Sequence, residues 1–215
     1  MSNKQNSELF VLSEGNIKDM SEPEPQELLK RIAEADESAF LELYNAWQGA
    51  VYRFAWQMTG SRSMAEDIVQ DVFLLLIRKK LHFDPAKGTF SSFMYGVARN
   101  LSLKSLRKNQ RFAGILRLFQ NRQEVNTWAD DPLVSLTEVE SAASLRKCIL
   151  TLPTQYREMI VLCDLHEFSY AQAAEITGCA IGTVRSRLHR GRELLLQKLS
   201  VERITSKKRK GGTPY

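Results

Sequence analysis

Between residues 36 and 60 apolar side chains return every three or four positions, at Phe40, Leu43, Tyr44, Trp47, Val51, Phe54, Ala55 and Met58. That spacing predicts about six turns of amphipathic helix, opened by Asp36 as a cap and stopped at Gly60. Ser63 and Glu66 then stand at capping-box distance ahead of Ala65, Ile68, Val69, Val72, Phe73, Leu76 and Ile77, a second helix that runs out at His82, Phe83, Asp84 and Pro85. A third begins near Thr89 or Ser91 and carries Phe93, Met94, Val97, Ala98 and Leu101 on one face. Three helices in under about 75 residues make one compact bundle.

From Asn109 to about Ser135 the period weakens and Asp131 and Pro132 interrupt it, as in an inter-domain linker, although Ile115, Leu116, Leu118 and Phe119 keep some helical character. Beyond it the pattern predicts a helix through Val139, Leu145, Cys148 and Ile149, stopped at Pro153, and another through Tyr156, Met159, Ile160, Leu162 and Cys163. Two shorter helices, about 169–177 and 181–199, join through Gly178. No stretch alternates as a strand does. The expected fold is all-α, with two small helical domains at 25–109 and 137–200, a flexible linker at 110–136, a disordered polar leader at 1–24 and a basic tail at 201–215.

Composition alone leaves one core or two open, since 215 residues with 43% hydrophobic content can bury either. Charge says more. The formal total is +5, but the first 45 residues are acidic, and 99–122 holds Arg99, Lys104, Arg107, Lys108, Arg111, Arg117 and Arg122 without one carboxylate. A second basic stretch gathers Arg185, Arg187, Arg190, Arg192, Lys198, Arg203 and the run from Lys207 to Lys210. Two separate cationic surfaces suit two contacts with one extended polyanion.

Cys148, Cys163 and Cys179 form neither a CxxC pair nor an even disulfide set, and read as reduced packing residues. No run reaches the roughly 20 apolar residues of a membrane span, and the start lacks signal-peptide order, so a soluble cytoplasmic protein is expected. His82, His166 and His189 are scattered, and neither a Gly-rich phosphate loop nor an HExxH pattern occurs. His166, His189 and Cys163 are therefore assigned to packing or surface, and neither catalytic residue, metal nor cofactor is expected.

The run FSYAQAAEITGCAIGTVRSRLHRGRELLL, from Phe168 to Leu196, has the layout of a helix-turn-helix. Ala173 and Ala174 are small where two helices approach, Gly178 permits the sharp turn, and Ile181, Val184 and Leu188 give the second helix a buried side. Its other side offers Thr183, Arg185, Ser186, Arg187, His189 and Arg190, donors for base edges and phosphates in a major groove, where a good base contact is worth about 1–3 kcal/mol of discrimination. An ordinary basic solvated helix is the plainer alternative.

From Leu152 to Leu199 the chain resembles region 4 of sigma-70-type RNA polymerase factors of the extracytoplasmic-function (ECF) group, marked by LPxxxRE, SYxEIA and GTVxSRLxRAR. The match includes Leu152, Pro153, Arg157, Tyr170, Gly182, Thr183, Val184, Ser186, Arg187, Leu188, Arg190 and Arg192, while Gln172, Ala173 and Gly191 depart from it. The resemblance implies that this domain reads the minus-35 promoter element and docks on the flap of the polymerase β subunit. AEDIVQDVFLLLIRKK, from Ala65 to Lys80, is similar to region 2.2, which implies docking on the β′ clamp coiled coil. Asp67, Gln70, Asp71 and Leu74 would supply that face, unless it is only a solvated surface.

FSSFMYGVARNLSLKSLRK, from Phe90 to Lys108, resembles regions 2.3 and 2.4, which capture the minus-10 element as it opens. Arg99, Lys104, Arg107 and Lys108 suit phosphates, Asn100 a base edge, and Tyr95 or Phe83 a stacked base, with Tyr95 better suited to a place in the core. Lys104 stands where the family usually has Asp. The resemblance further implies a dedicated anti-sigma partner. A helix-turn-helix regulator without sigma activity is the nearest rival, and it leaves the two front motifs without a role. A purely structural helical scaffold would show no salt-sensitive DNA affinity.

Overall fold

The computed structural model describes residues 25–78, 82–119 and 136–210, with side chains described for 25–78, 82–111 and 142–201. The leader 1–24 lies outside the described residues, as do 120–135 of the expected linker. Every regular element among the described residues is helical.

Helix α1 (Pro25–Ala33) precedes the pattern read above and starts on a proline, tolerated where the first N–H groups have no helical partner anyway. It packs Leu28 and Ile32 against α2 (Glu37–Thr59). Asp36 caps α2, accepting from Ser38 N and Ala39 N, and Gly60 ends it in the left-handed region. Helix α3 (Arg62–Ile77) corrects the expected capping box at Ser63 and Glu66: the cap is Ser61, which accepts from Met64 N at 3.3 Å. Gly60 ends α2 only one residue earlier, so the chain re-enters helix two positions sooner than the Ser63 spacing suggested.

A 3-10 turn at Pro85–Lys87 leads to α4 (Phe90–Phe119). Thr89 caps α4 by accepting from Ser92 N at 3.1 Å. The helix continues through Ile115, Leu116, Leu118 and Phe119 into the segment expected to be linker. Helices α2, α3 and α4 form the first bundle around Leu43, Phe54, Met58, Val72 and Met94, each no more than 1% exposed.

The second half comprises α5 (Leu136–Leu150), α6 (Thr154–Met159), α7 (Tyr170–Thr177) and α8 (Ile181–Lys210). The helix expected to run unbroken through Cys163 instead widens at Ile160–Leu165 into π geometry, closed by His166 N donating to Val161 O. Helix α8 runs past Leu199 to Lys210, so the first part of the expected tail continues the helix. Gly191 lies against α6: a Cβ there would stand 3.2 Å from Tyr156 O and 3.3 Å from Ile160 Cγ1. That contact gives a packing reason for glycine inside a helix, where it costs roughly 1 kcal/mol against alanine.

The two halves share one continuous apolar cluster, with α4 on α7 and the end of α2 against α5, α6 and the π segment. Arg157 ties the seam: its guanidinium donates to Met58 O at 2.6 Å in the first half, and to Leu150 O at 2.5 Å and Leu152 O at 3.1 Å in the second. Met58 O and Leu150 O end helices, where a cation also meets the negative end of the helix dipole, and Leu152 O lies in the bend just beyond α5. Arg146 adds its guanidinium over the Trp56 ring at 3.9 Å.

Candidate nucleic-acid interface

The helix-turn-helix is assembled from local signals. Ser169 caps α7 with a full capping box, its hydroxyl accepting from Gln172 N while Gln172 Oε1 accepts from Ser169 N. Gly178 makes the turn at φ 67, a conformation that a side chain would strain. Ala173, Val184 and Leu188 are at most 1% exposed, which fixes how α8 rotates about its axis. Arg185, Ser186, His189 and Arg190 consequently face outward, with Thr183 and Arg187 half-buried beside them.

These groups keep only light local tethers. Arg190 donates to Glu193 Oε2 at 3.0 Å, His189 Nε2 lies 3.4 Å from Glu193 Oε1, and the Arg185 guanidinium stands 5.9 Å from the Tyr170 ring centre. Exposed pairs of this kind are worth about 0–1 kcal/mol, little enough for a phosphate to displace. Arg192 is engaged differently: it holds Asp164 through two hydrogen bonds, and its guanidinium charge is favoured still further by that carboxylate.

On α4, Asn100, Lys104, Arg107 and Lys108 are exposed, while Arg99 and Tyr95 turn toward the other half. Tyr95 takes the core alternative. It is 7% exposed, with its ring edge-on to Phe54 at 5.4 Å and Phe168 at 4.7 Å. Its hydroxyl meets His166 Nδ1 at 2.9 Å, and His166 Nε2 meets Gln57 Oε1 at 2.8 Å. Because Gln57 Oε1 can only accept, the ring nitrogen facing it carries the proton and Tyr95 donates to the other. Burial, with Arg53 nearby, pushes His166 down to about 4, so the ring is neutral here. The same burial raises Tyr95 to about 12 against the opposing pull of Arg53. His166 thus fills the packing role expected of it, with a specific polar assignment that its sequence position did not reveal.

Phe83 packs on Phe90 and Phe93 at 5.2 and 5.5 Å. Asp67, Gln70 and Asp71 project from the outer face of α3, with Leu74 half-buried at its edge and Ile68, Val69, Val72 and Phe73 opposite them in the core.

Glu158 was not singled out by its position. It is 3% exposed, with one oxygen accepting from Arg99 Nε at 2.8 Å and the other 3.8 Å from Arg187 Nη1. The available signal was a carboxylate on the apolar side of a helix, between Tyr156 and Met159, where an unpaired charge is not tolerated. Among the described residues no cluster of three or more His, Cys, Asp or Glu could hold a metal, and no helix is long and apolar enough to cross a membrane.

A helix-turn-helix and a separate basic helix on one all-helical chain are the equipment of a DNA-binding protein. The sigma-70 region 2 family matches residues 43–112, and the sigma-70 region 4 family residues 142–195. The chain is 32% identical over 180 residues to the ECF RNA polymerase sigma factor SigW of Bacillus subtilis, covering 80% of this chain and 94% of that protein. It is 31% identical over 154 residues to the ECF sigma factor SigE of Mycolicibacterium smegmatis, covering 72% of this chain and 59% of that protein. Among solved structures it resembles the sigma factor RpoE bound to the anti-sigma factor NepR from Bartonella quintana, at TM-score 0.59 and 29% identity, covering 77% of this chain and 98% of that one. CnrH in complex with the cytosolic domain of CnrY shares the fold at TM-score 0.57 and 23% identity, covering 82% and 97%.

The chain belongs to the sigma-70 family of RNA polymerase sigma factors, in its extracytoplasmic-function group. Its function is that of a transcription initiation factor, and a helix-turn-helix regulator without sigma activity is not favoured.

Proposed function

We propose that the chain directs promoter-specific initiation through three separate surfaces. Thr183, Arg185, Ser186, Arg187, His189 and Arg190 of α8 read the minus-35 element. Arg99, Asn100, Lys104, Arg107 and Lys108 of α4 hold the minus-10 element as it opens, with Tyr95 left to the core, and Asp67, Gln70, Asp71 and Leu74 of α3 dock on the polymerase clamp. Domains at 25–109 and 137–200 carry these tasks, joined by 110–136. The protein works in the cytoplasm by binding alone, without chemistry or cofactor, and an anti-sigma partner covers its faces when it is idle; the RpoE relative is itself found in complex with the anti-sigma factor NepR.

The observation that carries this reading is the orientation of α8: Val184 and Leu188 are sunk in the core while Arg185, Ser186, His189 and Arg190 are exposed along one outer side. That is the geometry a major-groove helix needs.

Run-off transcription with sigma-free bacterial core polymerase on a genomic fragment library tests it. Discrete starts sharing paired upstream and downstream motifs are expected. Arg187→Ala should reduce use of the upstream motif with core binding kept, and Asp67→Ala should do the reverse. Salt-sensitive DNA binding without any polymerase-dependent start would refute the proposal.

A further inference from the structure

The first bundle carries a groove that none of the three proposed surfaces uses. It lies between α1, the end of α3 and the chain at 82–85, with a volume of about 480 Å³. Binding clefts fall between about 300 and 1,000 Å³, so it has room for a short peptide. Gln26, Leu29, Lys30 and Ala33 of α1 line it at spacing i, i+3, i+4 and i+7, which puts them on one face of that helix. Leu28 and Ile32 are buried in the core, so Leu29 and Ala33 are left to form an apolar wall with Leu76 and Phe83. Lys30 and His82 are exposed along its edge. Among the described residues that line it, Asp84 is the one carboxylate, and it is already engaged by Lys87 Nζ at 3.2 Å and by Ala86 N at 3.1 Å.

A matching occupant stands in the sequence that leads into α1. Residues 1–24 hold Glu8, Glu14, Asp19, Glu22 and Glu24 against Lys4 and Lys18. Within this acidic stretch lies one apolar run, Leu9, Phe10, Val11 and Leu12, with Glu8 before it and Ser13 and Glu14 after it. Such a run gains by leaving water, and carboxylates on both flanks complement an edge that carries Lys30 and His82. Reach allows the contact. Residues 13–24 span up to about 40 Å at ~3.3 Å each, whereas the nine residues of α1 rise only about 14 Å. The chain enters α1 at Pro25, next to Gln26 in the groove, so the run can fold back along the helix it precedes.

We propose that this groove is a docking site for an apolar peptide flanked by carboxylates, and that its occupant is residues 9–12 of the same chain. The tether makes a weak contact sufficient. A short linker sets an effective concentration of about 1 mM, so an intrinsic Kd of about 0.1 mM leaves the groove filled in about ten molecules of eleven. The docked run also covers Phe83, whose ring packs on Phe90 and Phe93 at the head of α4, and so braces the connection between α3 and α4. The dock is independent of the promoter-reading roles given above.

A synthetic peptide of residues 7–14 is titrated into full-length wild type and full-length Phe10→Asp, which empties the groove without altering any residue of the bundle. The variant should bind the peptide with a Kd on the order of 0.1 mM, and the wild type about tenfold more weakly, since its own run competes. Amide exchange across 26–33 should be on the order of tenfold faster in Phe10→Asp than in wild type. Ala33→Glu, added to the Phe10→Asp chain, puts a carboxylate into the apolar wall and should abolish peptide binding with the helical spectrum kept. Lys30→Glu, an exposed change that leaves the core alone, should weaken peptide binding about threefold to tenfold in the same background.

Equal peptide affinity for wild type and Phe10→Asp would overturn occupancy by the chain's own run, and no binding to either would overturn the dock itself. Full peptide affinity in both folded groove variants would also overturn it, by placing the peptide elsewhere. Protection of 26–33 that vanishes on dilution, together with a change from dimer to monomer by sizing, would assign the run to a second copy and refute docking within one chain.

Discussion

Acidification should weaken the seam between the halves through His166. In the structure the ring is neutral, donating to Gln57 Oε1 on α2 and accepting from Tyr95 on α4, with Arg53 of α2 as the nearby charge. Protonation would give Nδ1 a hydrogen facing the Tyr95 hydroxyl and place a second cation near Arg53. The unfolded chain binds this proton near 6.5 and the folded chain only near 4. The contribution is therefore fully present above pH 6.5 and is lost as pH falls toward 4. The slope is about 1.4 kcal/mol per pH unit and the total on the order of 3 kcal/mol. Against a typical 5–15 kcal/mol that is a large share. The assay is urea denaturation of wild type and His166→Gln at intervals from pH 7.5 to about 4, within the range of that linkage. The glutamine variant should begin lower by about 1 kcal/mol for an imperfect hydrogen bond and then lack the slope, so the two curves cross near about pH 6 and the variant is the more stable by about 2 kcal/mol at pH 4. Asp36, held at about 2 chiefly by the Ser38 hydroxyl, titrates below this window and acts equally on both proteins. Parallel curves would refute the reasoning.

Two other substitutions probe the same packing. Arg157→Ala removes the donor to three carbonyls at the seam and should cost on the order of 3 kcal/mol, a fall in Tm of about 6–12 °C by calorimetry; a shift under about 2 °C would show that those carbonyls are satisfied without it. Gly191→Ala should bring no gain in Tm, although helix propensity favours alanine by about 1 kcal/mol, because its Cβ would press on the Tyr156 carbonyl; a rise of more than about 2 °C would show that α6 can yield.

What the chain discloses in advance depends on how far apart the cooperating residues lie. Asp36, Gly60, Ser169 and Gly178 act within a turn or two of themselves, and the helices they bound are legible from spacing. So is the orientation of α8, because Val184 and Leu188 mark its buried side. The cap of α3 was misplaced by two residues because Ser61 and Ser63 are chemically equivalent and only the position of Gly60 decides between them. The π segment has no local marker, since Ile160 to Leu165 keeps an apolar pattern compatible with plain helix. The seam was invisible for a different reason. Arg99 and Glu158 are 59 residues apart, Tyr95 and His166 71, and neither partner carries a local cue to the other. The resemblance to regions 2.3 and 2.4, together with charge and aromatic character, placed Arg99 and Tyr95 in a DNA-binding set, while their engagement with Glu158 and His166 follows from tertiary packing.

The Arg157 clasp has a consequence for how the protein is made. Met58 O and Arg157 are separated by 99 residues of chain. At about 5–20 residues per second a ribosome needs about 5–20 s to deliver the second after the first. Late in that interval α3 and α4 have followed and the first bundle can collapse, but Met58 O at the end of α2 still has no guanidinium on it, and Trp56 has no Arg146 above it. The nascent half therefore presents an unfinished apolar edge to the cell for seconds. A chaperone that recognises it has that long to bind, and its departure is timed by the emergence of α5 and α6.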